Sequence, residues 1–265
     1  MRRNLTILTL AVCLAVAGAT AAMAASLIGT PGDDTLTATA PGDELYGEAG
    51  NDTLTAFTGG AYIEGGPGND RVFGGSGVDL ILAGTGDDQI DGGGAADSIY
   101  AGPGVDEAIG GAGSDTILGQ GGDDRIFGGP GRDTLRLGTG ANFADGGSRG
   151  DDISASGGSS TILGGAGTDT IIASNGTFVV RGGSGTDRIR TGDGADDVSG
   201  GGDADGIATS GGDDKVDARD HIRDRVYCGS GNDTVYADSA DILRGCESVV
   251  FDAPPGKRAL KPSAP

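Results

Sequence analysis

The 265-residue sequence predicts an all-β chain coiled as a parallel β-helix, on three observations that share one nine-residue period. Glycine recurs in the turn of each frame, aspartate at the sixth place and an aliphatic residue at the eighth. Residues 65–82 show the pattern plainly, reading GGPGNDRVF and then GGSGVDLIL. Glycines at the first, second and fourth places allow positive φ and close backbone approach, so six residues can turn sharply. The last three places form a very short strand whose middle side chain points inward. Asp70 and Asp79 end their turns and are expected to present carboxylates at the rim.

The period holds without insertion from Gly29 to Asp217, which is 21 frames. The eighth place is Leu, Ile or Val in 19 of them, with Ala108 and Ala144 the exceptions. The sixth is Asp in 17, failing only at Ala61, Asn142, Ser160 and Phe178. Glycine and proline total 65 residues, a level that without periodicity would indicate disorder. A fixed aliphatic place every ninth residue argues for a folded repeat instead.

These frames resemble the RTX, or haemolysin-type, calcium-binding nonapeptide, whose pattern is GGxGxDx-aliphatic-x. The resemblance implies a β-roll of about 21 repeats, two per turn, with calcium between turns stacked on the same edge. It implies as ligands the turn carbonyls and the aspartates Asp34, Asp52, Asp70, Asp79, Asp88, Asp97, Asp106, Asp115, Asp124, Asp133, Asp151, Asp169, Asp187, Asp196, Asp205, Asp214 and Asp233. At two frames per turn the roll has roughly ten turns and a length of about 50 Å.

Physical chemistry points the same way. Turns stacked about 4.8 Å apart would crowd their sixth-place carboxylates, which repel by roughly 3–4 kcal/mol per pair at an effective dielectric near 20. The inner column of about 20 aliphatic residues is a thin core for so glycine-rich a chain. A hard, oxygen-seeking divalent cation such as calcium neutralises the columns, so folding and metal binding are expected to be one event. The net charge of −21 excludes nucleic acid and anionic membrane surfaces as partners.

Assigning alternate frames to the two edges gives a map. One edge runs Asp34, Asp52, Asp70, Asp88, Asp106, Asp124, loses its acids at Asn142, Ser160 and Phe178, and resumes at Asp196 and Asp214. The other begins Asp43, Ala61 and continues unbroken from Asp79 to Asp205. Calcium is therefore expected to be absent or weak on the first edge between about residues 130 and 185. Ninth-place residues should face solvent. Leu82, Tyr100 and Leu118 would stack there in adjacent turns, with Phe73, Ile109 and Phe127 on the other side. Such a strip is either a surface for self-association or a cell-surface partner, or ordinary apolar scatter.

Residues 1–24 read as a secretory signal peptide: Arg2 and Arg3, an apolar run from Leu5 to Gly18, and Ala22-Met23-Ala24 for cleavage. Its removal takes the charge from −21 to −23 and leaves no segment for stable membrane insertion. The expected layout is signal peptide 1–24, repeats 25–217, a final repeat and cap 218–252, and a disordered Pro-rich tail 253–265. Past Asp217 the register slips by one residue, placing Asp224 and Val226 sixth and eighth. Cys228 and Cys246, the remaining pair in an exported chain, read as a disulfide closing the cap.

Catalytic constellations are weak. His221 is the only histidine, and Ser148 in GGSRG lacks the strand-turn-helix setting of a nucleophile elbow. The pairs Asp33-Asp34, Asp87-Asp88 and Asp123-Asp124 recur at the fifth and sixth places, which suits metal binding better than acid–base chemistry. The expected function is that of a secreted, non-enzymatic calcium-binding β-roll with a structural or interaction role. The alternatives are a calcium-dependent adhesin binding ice or glycans, and an enzyme related to the RTX hydrolases. The toxins, proteases and lipases of that family carry an active domain ahead of the roll, which is not expected here.

Overall fold

The computed structural model describes residues 24–251; the expected signal peptide, apart from Ala24, and the C-terminal tail lie outside the described residues. Two parallel sheets of 13 strands each face one another, and successive strands alternate between them. The first sheet starts at Ser26–Ile28 and the second at Thr35–Thr37. Each strand therefore pairs with the strand two frames away. Leu45 opposes Ile63, which opposes Ile81, and so on to Ile99 and Ile117 at a constant separation of 18 residues. This is the β-roll expected, but longer. The strands at both ends extend it past the 21 regular frames to 13 turns, roughly 60 Å at a strand spacing of about 4.8 Å.

The frame dictates each part of the turn. The seventh to ninth places make the strands, as at Arg71–Phe73, and many run on into the next three residues, as at Tyr62–Pro67. Second-place glycines bend the chain in the left-handed region, with Gly66 at φ 104°. First-place glycines serve a different need: a Cβ on Gly92 would lie 2.7 Å from both Asp97 Oδ2 and the Gly110 carbonyl oxygen. All 21 eighth-place residues from Leu36 to Val216 are buried, including Ala108 and Ala144. A second inward column lies at the first place, where Ala83, Ala101, Leu137 and Ala173 join the core.

The one-residue slip occurs where expected. Ile207 opposes Val226 at a separation of 19, and Asp224 takes the sixth place. The closing segment adds one last strand to each sheet, Ile242–Arg244 and Ser248–Phe251. Cys228 and Cys246 follow two paired strands and are joined in a disulfide with Cα atoms 5.2 Å apart. Leu82, Tyr100 and Leu118 do stack in adjacent strands on the outer face, where they are half-buried because neighbours along the sheet cover one another. On the second sheet, Phe127 and Phe143 pack with ring centroids 5.6 Å apart.

Ile117→Ala removes a fully buried rung and is expected to lower the stability of the calcium-loaded chain by about 2–5 kcal/mol in urea unfolding. Thr116→Ala, beside it on the outer face, should change stability by less than about 1 kcal/mol.

Candidate metal centre

The sixth-place aspartates are not at the rim. Each follows the turn and folds its carboxylate inward beneath the glycines, so that Asp70, Asp97 and Asp133 are only 1–2% exposed. The register puts them in two columns, one along each edge of the roll. Within a column, Oδ1 of each aspartate accepts a hydrogen bond from the backbone N–H of the sixth-place residue one turn earlier. Asp52 donates to Asp70, Asp70 to Asp88 and Asp88 to Asp106 on one edge, each at 2.8 Å. On the other, Asp79 donates to Asp97, Asp97 to Asp115 and Asp115 to Asp133, again at 2.8 Å.

The second oxygen is the anomaly. Oδ2 of Asp52, Asp70, Asp79, Asp88, Asp97, Asp106, Asp115, Asp124, Asp133, Asp151, Asp169, Asp187, Asp196, Asp205, Asp214 and Asp233 is buried with no hydrogen-bond partner. A buried carboxylate oxygen without a donor is costly, and here the cost recurs in nearly every turn. Nor is Oδ2 the only acceptor in its space. The Gly92 cradle shows why: Asp97 Oδ2 and the Gly110 carbonyl converge on one glycine Cα, two oxygens with room for no side chain. The same pairing recurs at Gly164, between Asp169 Oδ2 and the Gly182 carbonyl. Converging oxygens of this kind suit a hard cation. Among the described residues no three acidic, histidine or cysteine side chains gather into a cluster.

Burial sets the protonation of the columns. It pushes Asp88, Asp97, Asp151, Asp205 and Asp224 up to about 7, helped by the neighbouring carboxylates and opposed by the backbone N–H each accepts. Asp70, Asp79, Asp106, Asp124, Asp133 and Asp187 rise to about 6, also chiefly by burial.

The chain ends differ. Oδ2 of Asp34 accepts from the backbone and hydroxyl of Thr30, closing its own turn. Burial works to raise Asp43, but the N–H groups of Ala25, Thr39 and Ala40 outweigh it and hold the carboxyl below its usual range. Both are hydrogen-bonded turn closers, unlike the sixteen sixth-place aspartates with a bare oxygen.

The acid-poor stretch is explained by the two roles of the sixth place. Asn142 Oδ1 still accepts from Asp124, and Ser160 Oγ from Asn142, so the ladder of hydrogen bonds survives while the charge is lost. The Asn142 amide nitrogen donates to the Leu137 carbonyl at 3.4 Å, a bond no carboxylate can make. Phe178 is wholly buried and fills its turn with a ring. The fifth place holds a feature that the sequence did not disclose. Asp33 Oδ1 accepts from Asn51, Asn51 from Asn69, Asn69 from Asp87 and Asp87 from Val105, so fifth-place Asp and Asn side chains clasp the following turn from outside. The signal was present in the recurrence of Asn beside Asp there, since both share an acceptor oxygen but only one is charged.

Seven segments between residues 28 and 245 match the model of the RTX calcium-binding nonapeptide repeat: 28–59, 55–90, 73–108, 109–144, 145–177, 180–217 and 223–245. The chain belongs to the RTX calcium-binding repeat family. No curated protein matches the chain. RTX repeats bind calcium, and the stacked, half-satisfied carboxylates of this roll suit that ion. The RTX frame also accounts for Asp224, which continues the second column after the slip by accepting from Asp205 at 2.8 Å.

The raised acids fix the sign of the pH dependence. Carboxylates that ionise near 3.8 in the unfolded chain and near 6–7 in the roll bind more protons when folded. The metal-free roll is therefore most stable near pH 4 and loses that stability as pH rises from about 4 to about 7. Far-UV circular dichroism in chelator should show more β-structure at pH 4.5 than at pH 7.5, and the apparent calcium affinity should rise across the same window.

Proposed function

We propose that this chain is an exported β-roll that folds when it meets calcium outside the cytoplasm and then serves as a rigid structural or interaction rod. The observation that supports this best is the sixteen buried Oδ2 atoms lacking a donor, arrayed in two columns. Calcium would be held by those aspartates together with carbonyls of the glycine turns, and when bound it supplies the positive charge that the columns lack. The chain's own contribution is to fix the oxygens. Oδ1 is anchored by the neighbouring turn, so Oδ2 is aimed rather than free to seek solvent.

Export is supported by the leader-like residues 1–24 and by the disulfide, which suits an oxidising compartment. Calcium outside cells is plentiful, and affinities of about 10⁻⁴–10⁻³ M keep such a module empty inside and loaded outside. A non-catalytic role is supported by the setting of the two catalytic candidates. Ser148 ends the strand Phe143–Ser148 with no helix after it, and His221 lies in the irregular link with its ring largely exposed.

The test is a calcium titration of the mature chain followed by far-UV circular dichroism and hydrodynamic radius. A cooperative coil-to-β transition with compaction, reversed by chelator and poorly reproduced by magnesium, is expected. A chain already compact and β-rich in chelator at pH 7.5 contradicts the reading.

A further inference from the structure

The acid-poor turns have a counterpart on the outside of the roll. Residues 24–118 carry 16 acidic residues and one arginine, whereas residues 119–190 carry eight acidic residues and seven arginines. A strongly acidic rod thus has one nearly neutral stretch, and it coincides with the loss of acids at Asn142, Ser160 and Phe178.

A groove runs along that stretch on the outer face of the first sheet. Leu118, Gln120, Arg136, Ser154, Ser156 and Ile172 line it. It crosses adjacent strands, so its long direction follows the roll axis. Gly138, Ser156 and Ser174 line it from the second place of the turns that end at Asn142, Ser160 and Phe178. Carboxylates lost from the inside of these turns are therefore lost directly behind the groove. Leu118, Arg136, Ser154 and Ile172 belong to a ninth-place column on this face that continues to Leu82 and Tyr100 on one side of the groove and to Arg190 on the other, joining the half-buried apolar strip to two guanidinium groups. Arg136 and Arg190 are exposed, and among the described residues neither has an acidic partner within ion-pairing distance. They stand three strands apart, about 14 Å at ordinary strand spacing. Asp152 is the one acid on the strands of this face between Thr116 and Thr191.

We propose that this face binds a linear acidic polysaccharide laid along the roll axis. Each part of the surface matches one part of such a chain. Guanidinium forks pair with carboxylate or sulfate groups, hydroxyls and the Gln120 amide meet sugar hydroxyls, and the flat ring of Tyr100 with the apolar Leu118 beside it covers the apolar faces of sugar rings. Charge selects an anionic occupant, because Arg136 and Arg190 are exposed on this face without an ion-pair partner. The proposal rests on calcium loading: on the order of ten divalent ions offset the acidic field that would otherwise repel a polyanion. Binding is therefore expected only in calcium.

Affinity electrophoresis of the calcium-loaded mature chain through polygalacturonate, dextran sulfate and uncharged dextran tests this. Retardation by at least one polyanion and none by dextran is expected, and the stronger polyanion identifies the anionic group preferred. The double variant R136Q/R190Q should weaken retardation on the order of tenfold while its calcium-induced circular dichroism transition stays unchanged. D152N should strengthen it. A folded parent chain that no polyanion retards, or a double variant retarded as much as the parent through calcium bridging or association with a second copy, overturns the proposal alone. A parent chain that stays unfolded in calcium overturns it together with the reading beneath it.

Discussion

A carboxylate anchored by one oxygen and bare at the other is the constraint on which this molecule depends. Oδ1 of the sixth-place aspartate takes up a backbone N–H from the neighbouring turn, which fixes the register of the stack. Oδ2 is thereby forced into a space bounded by a glycine Cα and a carbonyl oxygen. The bond that builds the roll is the same bond that creates its electrostatic debt. Protons can relieve the debt at acid pH, and on the proposed reading calcium relieves it at neutral pH.

The two oxygens also explain how the repeat tolerates change. Asn142 and Ser160 keep the anchoring acceptor and discard the charge, so the sheets run through the acid-poor stretch without a break. Phe178 keeps neither, yet its own N–H still reaches Asp196 and its ring fills the turn. The loss of acid is confined to one edge. The opposite column from Asp133 to Asp187 is intact across the same turns, so this stretch is half as charged while keeping the same path. A local change in field without a change in shape gives a uniform rod one distinct face.

Much of this was legible in the sequence, because a nine-residue period constrains both geometry and chemistry. The alternation of edges, the buried eighth place and the one-residue slip before Asp224 all follow from counting, and the strand pairs Ile99–Ile117 and Ile207–Val226 bear this out. The depth of the carboxylates was not legible. A glycine frame says that the backbone can approach closely but not which atom fills the approach, and the aspartates turned inward instead of standing at the rim. The fifth-place clasp from Asp33 to Val105 was hidden behind the charge of its members, whose acceptor oxygen matters more than their ionisation. The length of the roll was underestimated at roughly ten turns. Irregular segments at either end, such as Ser26–Ile28 and Ser248–Phe251, pair by backbone hydrogen bonds that need no repeat signature.

The most direct measurement of the central claim is anomalous diffraction from crystals grown in calcium, which locates each ion independently of the protein chain. Two files of anomalous peaks beside the Oδ2 atoms are expected, continuous along the Asp79 edge and interrupted along the Asp34 edge between Asn142 and Phe178. An ordered roll whose carboxylates stand without ions at millimolar calcium, or peaks placed away from the sixth-place aspartates, would contradict the account.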